Sequence, residues 1–182
     1  FGYLGCYLPS YTPTLILSQK SQEKAINANL KAHHIPAPNF STPISTLESK
    51  MDFALINVPK SLELFQLFHE HISQDSTKDI SVACAFMTRN FSPKLISIAE
   101  EYFEVTEQSR ALKKARLLVL SKKKNTIPKE IISSLSFNNQ EYKQYWGVFS
   151  AQHIDYATQY FLEHLDIKKT DQRILDLASG NG

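Results

Sequence analysis

This sequence lacks most of the features that settle a class at once. No window approaches eighteen consecutive apolar residues, which excludes a membrane-spanning helix. No basic-then-apolar leader opens the chain. There is no internal repeat of short period and no low-complexity tract. Cysteine is scarce. Cys6 and Cys84 lie far apart, make no metal-ligand spacing, and each sits among apolar neighbours, so both read as buried free thiols in a reducing cytoplasm. An excess of charge is missing as well: 20 Lys and Arg face 18 Asp and Glu, a net charge of +2, so any nucleic-acid-binding surface must be local. An initiator methionine is also lacking. The chain opens at Phe1 and closes inside a loop at Ser179-Gly180-Asn181-Gly182, which predicts a piece of a longer protein.

What is present is the composition of a soluble globular chain, 42% hydrophobic and 21% charged over 182 residues. That length holds one domain, or one domain and part of another. Apolar runs at Thr14 to Leu17, Phe53 to Ile56, Ile80 to Phe86 and Leu117 to Leu120 read as buried strands. Between them, Gln19 to His34 carries a stripe at Ile26 and Leu30, and Pro36 and Pro38 end it. Ser61 offers an N-cap to a helix with Leu64, Phe68 and Ile72 on one face. Ser92-Pro93 opens a helix marked by Leu95, Ile98, Ala99, Tyr102 and Phe103.

Strands alternating with helices predict parallel pairing through right-handed crossovers, and unbroken apolarity predicts a sheet covered on both faces. The fold class is α/β, with a first domain over residues 1–124. The polar stretch from Lys122 to Asn139 reads as a linker or crossing segment, placing a linker at 125–144. A second unit, 145–182, begins with a helix whose face holds Ile154, Ala157, Phe161 and Leu165, followed by a strand, Ile174 to Leu177.

That strand runs into the most informative corner. Asp176 is followed by Ala178, Ser179, Gly180, Asn181 and Gly182. Small residues let backbone approach a ligand, and open α/β sheets bind ligands at the carboxyl ends of strands. In a dinucleotide site the glycines lead and the acid follows about twenty residues later. Here the acid leads, which argues against a nicotinamide enzyme. The order resembles the first motif of S-adenosylmethionine-dependent methyltransferases, with Ala178 in place of the first glycine. A plain strand–turn–helix corner is the alternative.

An ordered set of segments extends the resemblance over nearly the whole chain. The set comprises Phe1 to Cys6, Ala25 to Leu30, His33-His34-Ile35, Leu55 to Lys60, Lys113 to Leu117, Val148-Phe149-Ser150, Asp155, Phe161-Leu162 and Leu175-Asp176-Leu177. In this order they resemble the bacterial ribosomal-RNA guanine-N2 methyltransferases of the RlmG and RsmC type. Ala157 departs from the usual glycine of that family. Asn57-Val58-Pro59-Lys60 and Lys113-Lys114-Ala115-Arg116 favour the large-subunit enzymes.

The resemblance implies two tandem Rossmann-like methyltransferase-type domains, the first degenerate and without its first strand, the second the start of the catalytic domain. It implies S-adenosylmethionine as cofactor, ribosomal RNA as partner, no metal, a monomer and a cytoplasmic location. It places Asp176, Ala178, Ser179, Gly180, Asn181 and Gly182, with Phe149 and Ser150, at the cofactor. Catalytic residues are expected beyond Gly182 and none within the chain. Alternatives are a small-subunit enzyme and a purely RNA-binding module.

The family's catalytic Asn-Pro-Pro-aromatic motif is reduced in the first domain to Asn57-Val58-Pro59-Lys60, which puts a cation where a base would stack. Ser18-Gln19 stands where a ribose-binding acid is wanted. Both predict an inert first domain. Its positive contribution is a basic cluster without an acid, Arg110, Lys113, Lys114, Arg116, Lys122, Lys123 and Lys124, which can grip phosphates; ordinary solvated lysines at a strand end are the alternative. Arg89-Asn90 with Lys94 forms a second, weaker phosphate candidate. His33, His34, His69, His71, His153 and His164 show no metal spacing. Trp146, with Tyr142 and Tyr145, reads as packing at the junction between domains.

Overall fold

The computed structural model describes residues 8–11 and 13–175. Along the chain run β1 (Thr14–Ile16), α1 (Lys20–Ala32), β2 (Asn39–Ser41), β3 (Met51–Asn57), α2 (Leu62–Gln74), β4 (Ser76–Met87), α3 (Pro93–Tyr102), β5 (Phe103–Gln108), β6 (Ala115–Lys123), β7 (Ile132–Phe137), β8 (Gln140–Tyr145) and α4 (Tyr156–His164). Every strand and helix expected between residues 14 and 120 falls on one of these. The Ser61 hydroxyl caps α2, accepting from the Leu64 N–H at 3.1 Å. Ser92 departs from expectation. Its hydroxyl makes no capping bond, and its carbonyl accepts from the Leu95 N–H at 3.0 Å instead.

The main sheet has four strands in the order β3-β4-β6-β5. β3 and β4 are parallel, with α2 as the crossover. The expectation of all-parallel pairing fails beyond them, because β6 is antiparallel to both β4 and β5. β5 went unrecognised because four of the six residues in its sequence, Phe-Glu-Val-Thr-Glu-Gln, are polar. The connection from β5 to β6 is too short for a crossover and permits only a hairpin. β1 and β2 form a separate parallel pair. A cleft lined by Leu15, Leu17, Phe53 and Leu55 separates them from β3. This break in the ladder bears on the expectation that the first domain lacks a strand.

One face of the main sheet is covered. Ile56, Val82, Cys84, Phe86, Leu118 and Leu120 pack under Phe65 and Ile72 of α2 and Leu95, Ile98 and Tyr102 of α3. Each large apolar side chain buried here contributes roughly 1.5–3 kcal/mol. Burial also pushes the Cys84 thiol up to about 12, so it is an inert core residue. The opposite face contradicts the expectation of two covered faces. Phe53 is 58% exposed, Leu55 44% and Leu117 45%. Apolarity on both sides of a strand does not by itself supply a second layer, and among the described residues α2 and α3 lie on one side only.

α2 is buried almost all round. Its deepest side chains are Phe65 and His69, with Leu64 and Phe68 half-buried. The His69 Nδ1–H donates to the Phe65 carbonyl at 2.9 Å, and its ring lies 4.2 Å from that of Phe65. Burial without a partner for Nε2 lowers its pKa to about 4. His71 is lowered in the same way, partly offset by Asp75. The unfolded chain protonates His69 near 6.5 and the folded chain does not, so stability falls as pH drops from 6.5 toward 4. The loss from His69 should reach about 2 kcal/mol at pH 5. Urea titrations at pH 7 and pH 5 should show a shallower acid loss for His69→Phe than for the parent; equal losses refute the assignment.

The expected linker is structured. Its carboxyl half is the β7–β8 hairpin, with Asn138 and Asn139 both at positive φ in the turn. Ile132 and Leu135 stand three apart with two serines between them, so no strict alternation marks the strand. Before the hairpin, the chain is latched to the helices. The Glu70 carboxylate accepts from the Lys129 backbone N–H at 3.0 Å and from Gln74 Nε2 at 2.7 Å. Lys129 Nζ pairs with Glu101 at 2.5 Å and lies 5.3 Å above the Tyr102 ring.

Past the hairpin, Gly147 at φ +81° packs against α2. Trp146 is half-buried, and its backbone N–H donates to the Ile131 carbonyl at 2.9 Å. α4 forms as expected, capped by Asp155, but its face is bare: Phe161 is 62% exposed and Leu165 41%. Of the last expected strand, Ile174 and Leu175 are exposed and pair with nothing described; Asp176 and Leu177 lie outside the described residues.

Candidate nucleic-acid interface

The carboxyl ends of the parallel strands β3 and β4 share one edge of the sheet, where Asn57 pairs with Ala85. Because β6 is reversed, its beginning arrives at the same edge, with Met87 opposite Ala115. Three segments therefore converge there: the β5–β6 turn, the short 3-10 turn Thr88–Asn90, and the start of α3. The Thr88 N–H donates to the Lys114 carbonyl at 2.8 Å and fastens the first to the second.

The turn is tight. Leu112 and Ala115 exchange two backbone hydrogen bonds of 2.9 Å, leaving Lys113 and Lys114 as the two central residues. Both are left-handed, with φ of 48° and 65°. That is the pattern of a type I′ turn, which Asn-Gly fills without strain and lysine does not. Behind the turn, Ser109 braces the strands. Its hydroxyl accepts from the Leu117 N–H and its carbonyl from Arg116 Nε, both at 2.9 Å.

The structure divides the expected basic cluster. Arg110, Lys113, Lys114 and Arg116 stand at the carboxyl edge; Lys122, Lys123 and Lys124 stand at the far end of β6. A strand of nine residues sets the two groups roughly 25 Å apart. The far group is engaged by the protein itself. Lys122 Nζ lies 3.7 Å from Glu104, Lys123 Nζ donates to the Ser76 carbonyl at 3.1 Å, and Lys124 Nζ to the Glu100 carbonyl at 2.5 Å. The seven basic residues therefore do not form one surface, since consecutive charges in sequence diverge along an extended strand. Arg110, Lys113 and Lys114 are exposed and in no ion pair among the described residues. Arg89 and Lys94, expected as a separate contact, instead join this edge and are exposed there. Lys60, also exposed, follows the end of β3.

Asn57 and Lys60 are exposed, while Val58 is buried and its N–H donates to the Ala85 carbonyl at 2.9 Å. Gln19, at the position where a ribose acid was sought, is the N-cap of α1, and its N–H donates to Gln22 Oε1 at 3.3 Å. Of the expected cofactor residues, Phe149 is 72% exposed and Ser150 is left-handed at φ 54°. Asp176, Ala178, Ser179, Gly180, Asn181 and Gly182 lie outside the described residues. Among the described residues no group of three His, Cys, Asp or Glu side chains can hold a metal ion, and no helix is long and apolar enough to cross a membrane.

Residues 1–125 match the family model of the RLMG N-terminal domain, and residues 139–182 match that of the methyltransferase small domain. The chain is 26% identical over 188 residues to the ribosomal RNA large subunit methyltransferase G of Pseudoalteromonas translucida, covering 100% of this chain and 49% of that protein. It is 27% identical over 187 residues to the protein of the same name from Klebsiella pneumoniae strain 342, covering 100% and 50%. The chain thus spans about half the length of the curated relatives it matches.

Among solved structures it resembles the T. thermophilus 16S rRNA N2 G1207 methyltransferase RsmC in complex with AdoMet and guanosine. The TM-score is 0.55 and the identity 17%, over 76% of this chain and 39% of that one. The PH0226 protein of Pyrococcus horikoshii gives a TM-score of 0.56 at 10% identity, over 67% and 77%. At these identities the likeness is one of fold, and the fold is the Rossmann-like α/β type expected. The model matched over residues 1–125 covers most of the chain, and the chain belongs to the RLMG N-terminal domain family.

Proposed function

We propose that the full-length protein methylates the exocyclic N2 amine of a guanine in large-subunit (23S) ribosomal RNA with S-adenosylmethionine. In this reading residues 1–124 are a non-catalytic docking domain, 125–144 the connection, and 145–182 the start of the catalytic domain. The observation that carries it is the tandem match within this chain, an RLMG N-terminal domain followed by a methyltransferase small domain, together with relatives named as the large-subunit enzyme. The location is cytoplasmic and the protein a monomer that uses no metal.

S-adenosylmethionine, when bound, supplies a methyl group on an electrophilic sulfonium. The donor set at Asp176 to Gly182 fits such a ligand. A carboxylate can accept from ribose hydroxyls, and the small residues behind it leave backbone N–H groups open to a charged methionine end. Phe149, which is exposed, and Ser150 are assigned to the same cofactor, the first as an apolar ring. The first domain holds neither cofactor nor target base, because Gln19 offers no carboxylate to a ribose and Lys60 stands in place of an aromatic. It grips phosphates with Arg110, Lys113, Lys114 and Arg116, supported by Arg89 and Lys94. Lys122, Lys123 and Lys124 lie too far along β6 to share that grip.

Equilibrium dialysis tests the cofactor assignment. Asp176→Ala in the full-length protein should weaken S-adenosylmethionine binding by about tenfold or more, the worth of hydrogen bonds to a charged group. Unchanged affinity removes Asp176 from the site. Incubation of the parent with 23S RNA and methyl-labelled cofactor should place label on guanine N2; label elsewhere, or none, overturns the activity.

A further inference from the structure

We propose that Leu112 is an apolar wedge that enters between stacked bases of the bound RNA and opens the stack, so that the first domain separates RNA strands locally as well as gripping them. The inference rests on the RNA-docking reading and adds an activity to it. Leu112 is 75% exposed. It occupies the corner of the β5–β6 turn, held on both sides by backbone hydrogen bonds to Ala115, and so protrudes from a stiff support. Its neighbours are cationic: Arg110 before it, Lys113 and Lys114 after it, Arg116 beyond, with no acid from Ser109 to Lys124.

A large exposed apolar side chain in a turn whose flanking residues are cations in no ion pair among the described residues suits few partners. An apolar protein groove would leave the cations unpaired, and an acidic protein surface would leave the leucine without an apolar contact. A nucleic acid satisfies both, because its phosphates form the outer rail and its base faces lie between them. An anionic membrane offers the same two chemistries, but stable attachment there needs a broad apolar face, and one leucine does not provide it.

The turn itself is the second line of support. Two consecutive lysines in the left-handed region cost on the order of 1 kcal/mol or more each. Strain of this kind persists where the surroundings hold it in place, and here Thr88 and Ser109 both bond to the turn or its flanks. The strained backbone places two lysines directly after the leucine in a turn held by backbone hydrogen bonds. A relaxed Asn-Gly turn would present the same leucine without them.

The test uses the full-length protein, without S-adenosylmethionine, and an RNA hairpin from the ribosomal large subunit with 2-aminopurine in its stem. At saturating protein the parent should raise the fluorescence several-fold as the base unstacks. Leu112→Ser should bind the hairpin in filter assays and lose most of the rise, and Leu112→Met should restore it. Leu112 is exposed, so these variants should melt with the parent, and a shared melting temperature separates the effect from misfolding. A Ser variant that saturates and fluoresces like the parent overturns the wedge while leaving RNA docking intact. A parent that does not bind the hairpin at all overturns docking, and the wedge with it. Leu112-dependent binding to phosphatidylserine vesicles, with unchanged RNA fluorescence, overturns the choice of RNA.

Discussion

Replacing Lys113, Lys114 and Arg116 together by alanine should flatten the dependence of log affinity for ribosomal RNA on log salt by about 2 to 3. The affinity deficit of the variant should therefore be greatest in dilute buffer and shrink by roughly 20- to 40-fold between 50 mM and 200 mM salt. Lys122, Lys123 and Lys124 replaced together should change the slope far less, because their ammonium groups already meet Glu104 and two backbone carbonyls. An equal effect of the two triple replacements would refute the division of the cluster. Lys113→Asn with Lys114→Gly sharpens the comparison. It gives the turn the residues its backbone favours, so it should stabilise the fold while weakening RNA binding. A variant that lost both would show that the lysines support the turn and do not serve the RNA.

The second large effect concerns Gly147. A Cβ placed there would sit 2.7 Å from the Leu64 Cα, and the backbone at φ +81° disfavours any side chain. Left-handed strain and overpacking together should cost about 2–4 kcal/mol. The expected outcome for Gly147→Ala is a melting temperature lower by roughly 5–15 °C. Cleavage by a protease in the segment around Asn138 should rise in step. The region in question rests on α2 through few contacts, among them Gln152 Nε2 to Glu63 Oε1 at 2.8 Å. An alanine variant that melts with the parent would mean that the segment is not seated on α2 as described.

The elements of the first domain were legible because their apolar runs are uninterrupted and their breakers stand in the right places. Ser61 and Pro93 announce α2 and α3, and both helices start there. What could not be read was direction. An apolar strand looks the same whichever way its neighbours run, so β6 was expected parallel until β5, too polar to register, revealed a hairpin. The functional consequence was larger than the structural one. Seven basic residues in a single sequence window appeared to be one surface, and only the extended backbone shows that they occupy opposite ends of β6.

Other features left weak traces or none. Lys113-Lys114 gives no turn signal, since the pair that advertises such a turn is Asn-Gly. Leu112 was simply an apolar residue next to a strand. Gly147 stood among aromatic residues with nothing to mark its positive φ. Helical spacing predicted α4, although Ile154 and Leu165 fall just outside its Tyr156–His164 span, yet spacing describes which residues share a face and not what covers it. Phe161 remains exposed among the described residues.

The reversal of β6 also changes how this edge of the protein can diverge. A loop between parallel strands passes through a helix and carries the core with it. In the ladder, the two strands of the β5–β6 turn pair only with each other and β4. No crossover helix belongs to that connection, so the length and charge of the turn answer to what it binds and not to the packing of α2 and α3.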